Sequence, residues 1–152
     1  MVGDGCSCSV GCHEEVSLSV RAVLRRRDGK ILLLQRSLDG VKSNPGKWEI
    51  PGGLTEFLED VIPALKREVK EETGLIIYPS STRPLTFVSV VSGTGRHIAH
   101  VFLCERFRRS RGLEGDITLS EEHQDSRWAT VEEALDLSLV PTTREVLEFL
   151  LE

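Results

Sequence analysis

The segment from Asp60 to Gly74 constrains the fold most. Val61, Ile62, Leu65 and Val69 recur at helical spacing, so one face is apolar and the rest polar. Asp60 stands where a side chain can cap the helix by accepting a backbone N–H. Pro63 falls in the first turn, where its missing donor does little harm. Gly74 supplies the left-handed residue that ends such a helix. The pattern predicts a helix over Val61–Thr73, and its apolar stripe needs a sheet to pack on.

Strand-like segments supply that sheet. Val16, Leu18, Val20, Ala22 and Leu24 alternate with other residues over a strand-length window. Asp28-Gly29 reads as a hairpin turn, and Lys30–Gln35 as a buried partner strand. Trp48–Ile50 reads as a short strand stopped by Pro51-Gly52-Gly53. Further strands are expected at Leu75–Tyr78, Leu85–Val91, His97–Phe107 and Gln124–Ala129, with a Gly93-Thr94-Gly95 turn. Ser37–Lys47, Leu54–Glu59 and Arg108–Asp116 read as loops. Two short helices, Val131–Leu137 and Thr142–Leu151, close the chain. Strands and helices in mixed order point to the α/β class and an α/β/α sandwich.

At 152 residues, 39% hydrophobic and 28% charged, the chain suits one folded domain. The longest apolar runs, Ile31–Leu34 and Leu75–Ile77, are too short to cross a bilayer, so no membrane partner is expected. MVGDGCSCSV lacks the basic and apolar regions of a secretory signal, which predicts a cytoplasmic protein. A net charge of −5 argues against a general nucleic-acid coat, and no nucleic-acid partner is expected, although a local basic patch can still bind phosphate. Residues 1–15 read as a Cys-rich tail and 16–152 as the domain. Cys6, Cys8, Cys12 and His13 are four soft metal ligands without the paired x2–x4 spacing of structural zinc sites. The cluster reads as a tail, with a metal site as the alternative. Cys104 stands in an apolar run and reads as a buried, unreactive thiol.

The predicted helix also carries the chemistry. Glu68, Glu71 and Glu72 stand at i, i+3 and i+4, on one arc of about 100°. Each close like-charge pair costs about 0.2–0.5 kcal/mol on an exposed helix. Acids near a helix C-terminus also oppose its dipole. Glu68 and Glu72 lie at the edge of the apolar stripe. A hard divalent cation relieves all of these penalties, because carboxylate oxygen is its preferred donor. The arc also reads as a solvated acidic face neutralised by Lys66, Arg67 and Lys70.

Gly53-x5-Glu59-x7-Arg67-Glu68-Val69-x-Glu71-Glu72-x-Gly74-Leu75 resembles the Nudix box of the Nudix hydrolase family at every defined position. Lys47-Trp48-Glu49-Ile50-Pro51-Gly52-Gly53 is similar to the lead-in of MutT-type members. Glu121-Glu122-His123, followed by Trp128, is similar to a downstream loop that carries one more acid. The resemblance implies a Nudix-type α/β/α sandwich with a mixed central sheet. It implies Glu68, Glu71 and Glu72 as main metal ligands, the Gly52 carbonyl as a further one, and Glu122 as ligand or general base. Glu59 would pair with Arg67 and tie the helix to its loop. The catalytic set is then Glu71, Glu72, Glu122, Arg67 and Glu59. The implied cofactor is Mg2+, with Mn2+ as a substitute. Nudix enzymes cleave a nucleoside diphosphate linked to a group X, with metal-activated water as nucleophile and a carboxylate as base.

Arg36, Lys42 and Lys47 flank the loop before the Pro-Gly-Gly turn and can meet distal phosphates. Arg36, Lys47, Glu49 and Gly53 are the candidate substrate contacts. Trp48 reads as core rather than a base-stacking group. Arg106, Arg108, Arg109 and Arg111 read as a solvated loop face, and His97, His100 and His123 as structural or surface residues. Pro51-Gly52-Gly53 resembles members acting on nucleoside triphosphates. Pro141-Thr142-Thr143 stands where oxidised-guanine enzymes carry an Asn. The expected substrate is a small-molecule (d)NTP or modified nucleotide. The alternatives are ADP-ribose or a nucleotide sugar, or a silent nucleotide-sensing domain, and the chain is expected as a monomer or homodimer.

Overall fold

The computed structural model describes residues 15–40, 43–92, 95–110 and 117–152. Nine strands and three helices are found among them. In chain order these are β1 (Glu15–Leu24), β2 (Ile31–Arg36), β3 (Trp48–Glu49), β4 (Gly52–Leu54), α1 (Val61–Thr73), β5 (Leu75–Ile77), β6 (Thr82–Ser92), β7 (Gly95–Cys104), β8 (Phe107–Arg109), β9 (His123–Ala129), α2 (Val131–Leu135) and α3 (Pro141–Leu150). The Cys6–His13 cluster, Lys42, Gly93-Thr94 and Arg111 lie outside the described residues.

The central sheet has the order β4-β1-β7-β6. It is mixed, since β1 and β7 run parallel while the outer pairs are antiparallel. A second sheet has the order β3-β2-β9, and β5 pairs with β8. The second half of β1 and the first four residues of β2 are buried on both faces, and alternation sends their side chains two ways. Val20, Ala22, Leu24, Leu32 and Leu34 meet Ala64, Leu65 and Val69 of α1. Val23, Ile31 and Leu33 face the opposite core with Trp48 and with Val146 and Leu147 of α3. The two apolar layers make the α/β/α sandwich and confirm Trp48 as a core residue. Cys104 is buried too, and burial lifts its thiol pKa to about 11.

Several local expectations are corrected. The Asp28-Gly29 turn forms, with Gly29 at φ +82°, yet β1 and β2 separate into different sheets after one bridge, Arg25 to Ile31. Leu54 belongs to a strand rather than a loop, because Gly52–Leu54 pairs with β1. Arg108 and Arg109 likewise leave the expected loop and join β8 against β5. Asp60 has extended backbone geometry but no side-chain cap bond. Pro63 occupies the third helical position and removes one of the two N–H groups such a cap accepts from. Gly74 ends α1 as expected, at φ +73° with its N–H on the Lys70 carbonyl.

Candidate active site

α1 packs across β4, and that contact sets the geometry of the acidic edge. Glu72 is 3% exposed, and its Oε2 accepts a 2.9 Å hydrogen bond from the Gly52 N–H. Glu68 sits one turn earlier with its side chain 14% exposed. Its carboxylate presses on the backbone of Gly53, so a Cβ there would lie 2.6 Å from it. At Gly52 a Cβ would lie 2.0 Å from the Val20 carbonyl oxygen, and the backbone φ is +146°. Glycine at Gly53 therefore lets the β4 backbone meet the Glu68 carboxylate directly, and glycine at Gly52 lets β4 lie against the backbone of β1. Glu71 points outward, 59% exposed.

Burial controls the charge of this edge. Desolvation drives the Glu72 carboxyl well above the usual carboxylate range, and the Gly52 N–H offsets only part of this. Burial also raises Glu68, against the opposing pull of Arg67. Arg67 is the hub. Its guanidinium donates to both oxygens of Glu59 at 2.8 Å, to Glu68 at 2.8 Å, to Glu71 at 3.3 Å and to the Leu54 carbonyl at 3.2 Å. These bonds tie α1 to the loop before it and hold Glu59 down to about 2. Lys66 and Lys70 are exposed and make none of these contacts.

Beyond Gly52 lies a buried ionic group that sequence reasoning missed in part. Glu49 is 2% exposed and is held by Arg36 at 3.0 Å, His123 at 2.9 Å and Arg21 at 3.4 Å. The His123 hydrogen bond and the two guanidinium groups outweigh desolvation and lower its pKa. Arg21 also donates to the Gly52 carbonyl at 3.2 Å, which links this group to the acidic edge. The signal for Arg21 was a lone cation inside the apolar alternation of β1. Arg36 and Glu49 are thus brought together, with Arg36 further bonded to the Ser43 carbonyl. Lys47 is half-buried beside them in sequence. Glu122 lies exposed in the turn before β9, where its carbonyl accepts from the Ser37 N–H. His123, next to it, is the buried and bonded residue.

Among the described residues no three His, Cys, Asp or Glu side chains converge as a ready-made ion cage. Arg67 draws Glu68 and Glu71 to itself, while Glu72 turns to Gly52. The oxygens that could hold an ion at this edge are nonetheless hard throughout, the carboxylates of Glu68, Glu71 and Glu72, while the Gly52 carbonyl, the further expected ligand, faces the Arg21 guanidinium at 3.2 Å. Two of these acids are largely buried without full compensation, which fits a hard divalent cation.

The NUDIX domain family model matches residues 16–150. The chain belongs to the Nudix family. A nucleoside triphosphatase NudI from Escherichia fergusonii is 32% identical over 134 residues, 82% of this chain and 89% of that protein. The CTP pyrophosphohydrolase of Escherichia coli is 31% identical over 131 residues, 86% and 89% of the two chains. Among solved structures, a MutT protein from Methanosarcina mazei superposes with a TM-score of 0.72 at 30% identity, covering 90% of this chain and 93% of that one. A MutT Nudix hydrolase from Burkholderia pseudomallei gives 0.74 at 28% identity, covering 89% and 98%. This Nudix chain is accordingly a pyrophosphohydrolase. No helix among its described residues is long and apolar enough to cross a membrane.

Two predictions follow from this geometry. Gly52→Ala meets fixed backbone and should unfold the protein or lower its melting temperature sharply. Gly53→Ala meets only the movable end of Glu68 and should fold with a small change in stability while losing most metal affinity, read by Mn2+ titration. Equal melting losses for the two variants would contradict this reading. The second prediction concerns acid. Glu59 is ordinary at 4.5 when unfolded and about 2 when folded, so its pairing stabilises the fold above about 4.5 and is lost as pH falls towards 2. The stability gap between the parent and Glu59→Gln should shrink over that window. A gap that stays constant from neutral pH to pH 2 would exclude the Arg67 pairing as its source.

Proposed function

We propose that this Nudix hydrolase acts on a (d)NTP or a modified nucleotide with Mg2+ as cofactor, and that Mn2+ can replace it. The observation that carries the reading is the pair of largely buried carboxylates, Glu68 and Glu72, set against the backbone of Gly52 and Gly53. With Glu71 and the Gly52 carbonyl they would hold the cation. When bound, such an ion supplies charge neutralisation for the diphosphate and a more acidic water.

The remaining work falls to the chain itself. Glu59 and Arg67 fix the loop to α1 and hold Glu68 and Glu71 in place. Glu72 is sealed from solvent, so with the cation bound it would serve as a fixed ligand rather than as a proton carrier. Glu71 is open to water, so we assign it the transfer of the nucleophile's proton to bulk, with Glu122 as a further acid from the turn before β9. Glu49 holds Arg36 in place, and the rest of its guanidinium together with the Lys47 ammonium would meet distal phosphates. The names of the two relatives, a nucleoside triphosphatase and a CTP pyrophosphohydrolase, support a triphosphate as substrate.

The test is a phosphate-release screen over NTPs, dNTPs, oxidised nucleotides, ADP-ribose, NAD(H) and dinucleoside polyphosphates. An NTP should yield NMP and pyrophosphate, with solvent 18O in one of them. Release of orthophosphate alone, or a covalent phospho-enzyme, would contradict attack by water on the diphosphate.

A further inference from the structure

A polar group shared by β1 and β7 takes no part in the metal edge. Ser17, Ser19 and Arg21 alternate along β1, so their side chains share one face. His97 on β7 is the register partner of Ser17. Its ring bridges the two serines, with Nδ1 2.8 Å from the Ser17 hydroxyl and Nε2 2.9 Å from the Ser19 hydroxyl. Ser19 is fully buried, while Ser17 and His97 are half-buried.

Hydrogen-bonding capacity fixes the direction of these contacts. Burial and the nearby Arg21 charge lower the His97 pKa, so at neutral pH the ring is uncharged and has one N–H and one acceptor nitrogen. The buried Ser19 hydroxyl has no other partner among the described residues, and a buried O–H left unpaired is costly. Ser19 therefore donates to Nε2. The ring proton is then on Nδ1, which donates to the Ser17 oxygen. The Ser17 hydrogen has no internal acceptor, and Ser17 is open to solvent in part. The three residues form a one-way relay that ends in a single outward donor, set before anything binds.

The relay lies in line with the proposed phosphate contacts. Arg36 and Arg21 take different oxygens of Glu49, and Arg21 also bonds the carbonyl of Gly52, its register partner. The chain runs from Glu49 through Gly52 to Leu54, the register partner of Ser19. Ser19 and then Ser17 thus lie further from the Arg36–Glu49 pair, about 7 and 13 Å along β1 from Arg21. A nucleoside joined to the reacting phosphate extends over such a span. Leu54, 57% exposed, shares the face of Ser19, and Val90 of β6 is the register partner of His97. Apolar side chains flanking one placed donor suit a flat base.

We propose that Ser17, set by His97 and Ser19, reads the nucleobase and favours a keto oxygen over an amino group at the edge it meets; this rests on a nucleotide being the substrate. A keto oxygen accepts the Ser17 hydrogen, whereas an amino group leaves it unpaired. Ser17 would touch the base, and the buried Ser19 acts only through the ring.

The experiment compares kcat and KM of the full chain with Mg2+ for UTP against CTP and for ITP against ATP, pairs that exchange keto for amino. The parent should favour the keto member of at least one pair by about fivefold, chiefly in KM. Ser17→Ala should bring that ratio to within about twofold of unity. Ser19→Ala cannot touch the base, yet it frees Nε2 to take the ring proton and turns the Ser17 hydrogen inward, so it should erase the ratio too. Ser17→Thr keeps the hydroxyl and should keep the ratio. Independently of turnover, 15N spectra of the parent should show a neutral His97 with its proton on Nδ1. Those signals are assigned by their loss in His97→Leu with Ser19→Ala, which removes ring and hydroxyl together. A proton on Nε2, an amino preference, no parent preference above about twofold, or a preference that survives Ser17→Ala or Ser19→Ala overturns the proposal. If the parent hydrolyses none of these nucleotides, the nucleotide reading falls and this one with it. If it hydrolyses them and the ratio does not move in the variants, this one alone falls.

Discussion

The hydrogen bond from the Gly52 N–H to the Glu72 carboxylate joins α1 to the mixed sheet at a point where neither side chain nor backbone can shift freely. It places an acid at 3% exposure beside a strand that has no room for a Cβ. A buried carboxylate with one neutral donor is costly. The helix stripe of Ala64, Leu65 and Val69 supplies the packing that makes the cost tolerable. Glu68 and Glu71 follow from the same helical phase, since one turn of α1 fixes where each emerges.

Two arginines organise the charges on either side of that bond. Arg67 gathers Glu59, Glu68 and Glu71 along the helix edge. Arg21 reaches from β1 to the Gly52 carbonyl and to Glu49, which His123 and Arg36 also hold. Each Arg is a planar fork that satisfies several oxygens at once, a role a lysine could not fill. The Gly52 peptide stands between the two networks, its N–H turned to one and its carbonyl to the other.

The helix was legible because its signals are local: an apolar period, a proline in the first turn and a terminal glycine. The glutamates were legible because helical spacing alone puts them on one arc. Burial of Glu68 and Glu72 followed from their place at the stripe edge. The Arg21–Glu49–His123 group was not legible, because it joins three strands distant in sequence and depends on which face of each strand meets the others. The same limit hid the separation of β1 from β2, where a strong turn signal says nothing about where the strands pair afterwards. Asp60 failed as a side-chain cap for a local reason, the proline three residues on.

The most direct measurement is the melting temperature of Glu72→Gln with and without Mg2+, alongside its turnover and with Glu148→Gln as control. The amide keeps an oxygen for the Gly52 N–H and removes the buried charge. In chelator at neutral pH the variant should melt at or slightly above the parent. Mg2+ should raise the parent's melting temperature by linkage and the variant's less. Turnover should fall by about a hundredfold or more. A variant that is less stable without metal, yet retains most of its turnover, would show that Glu72 is a structural acid and that the chemistry lies elsewhere.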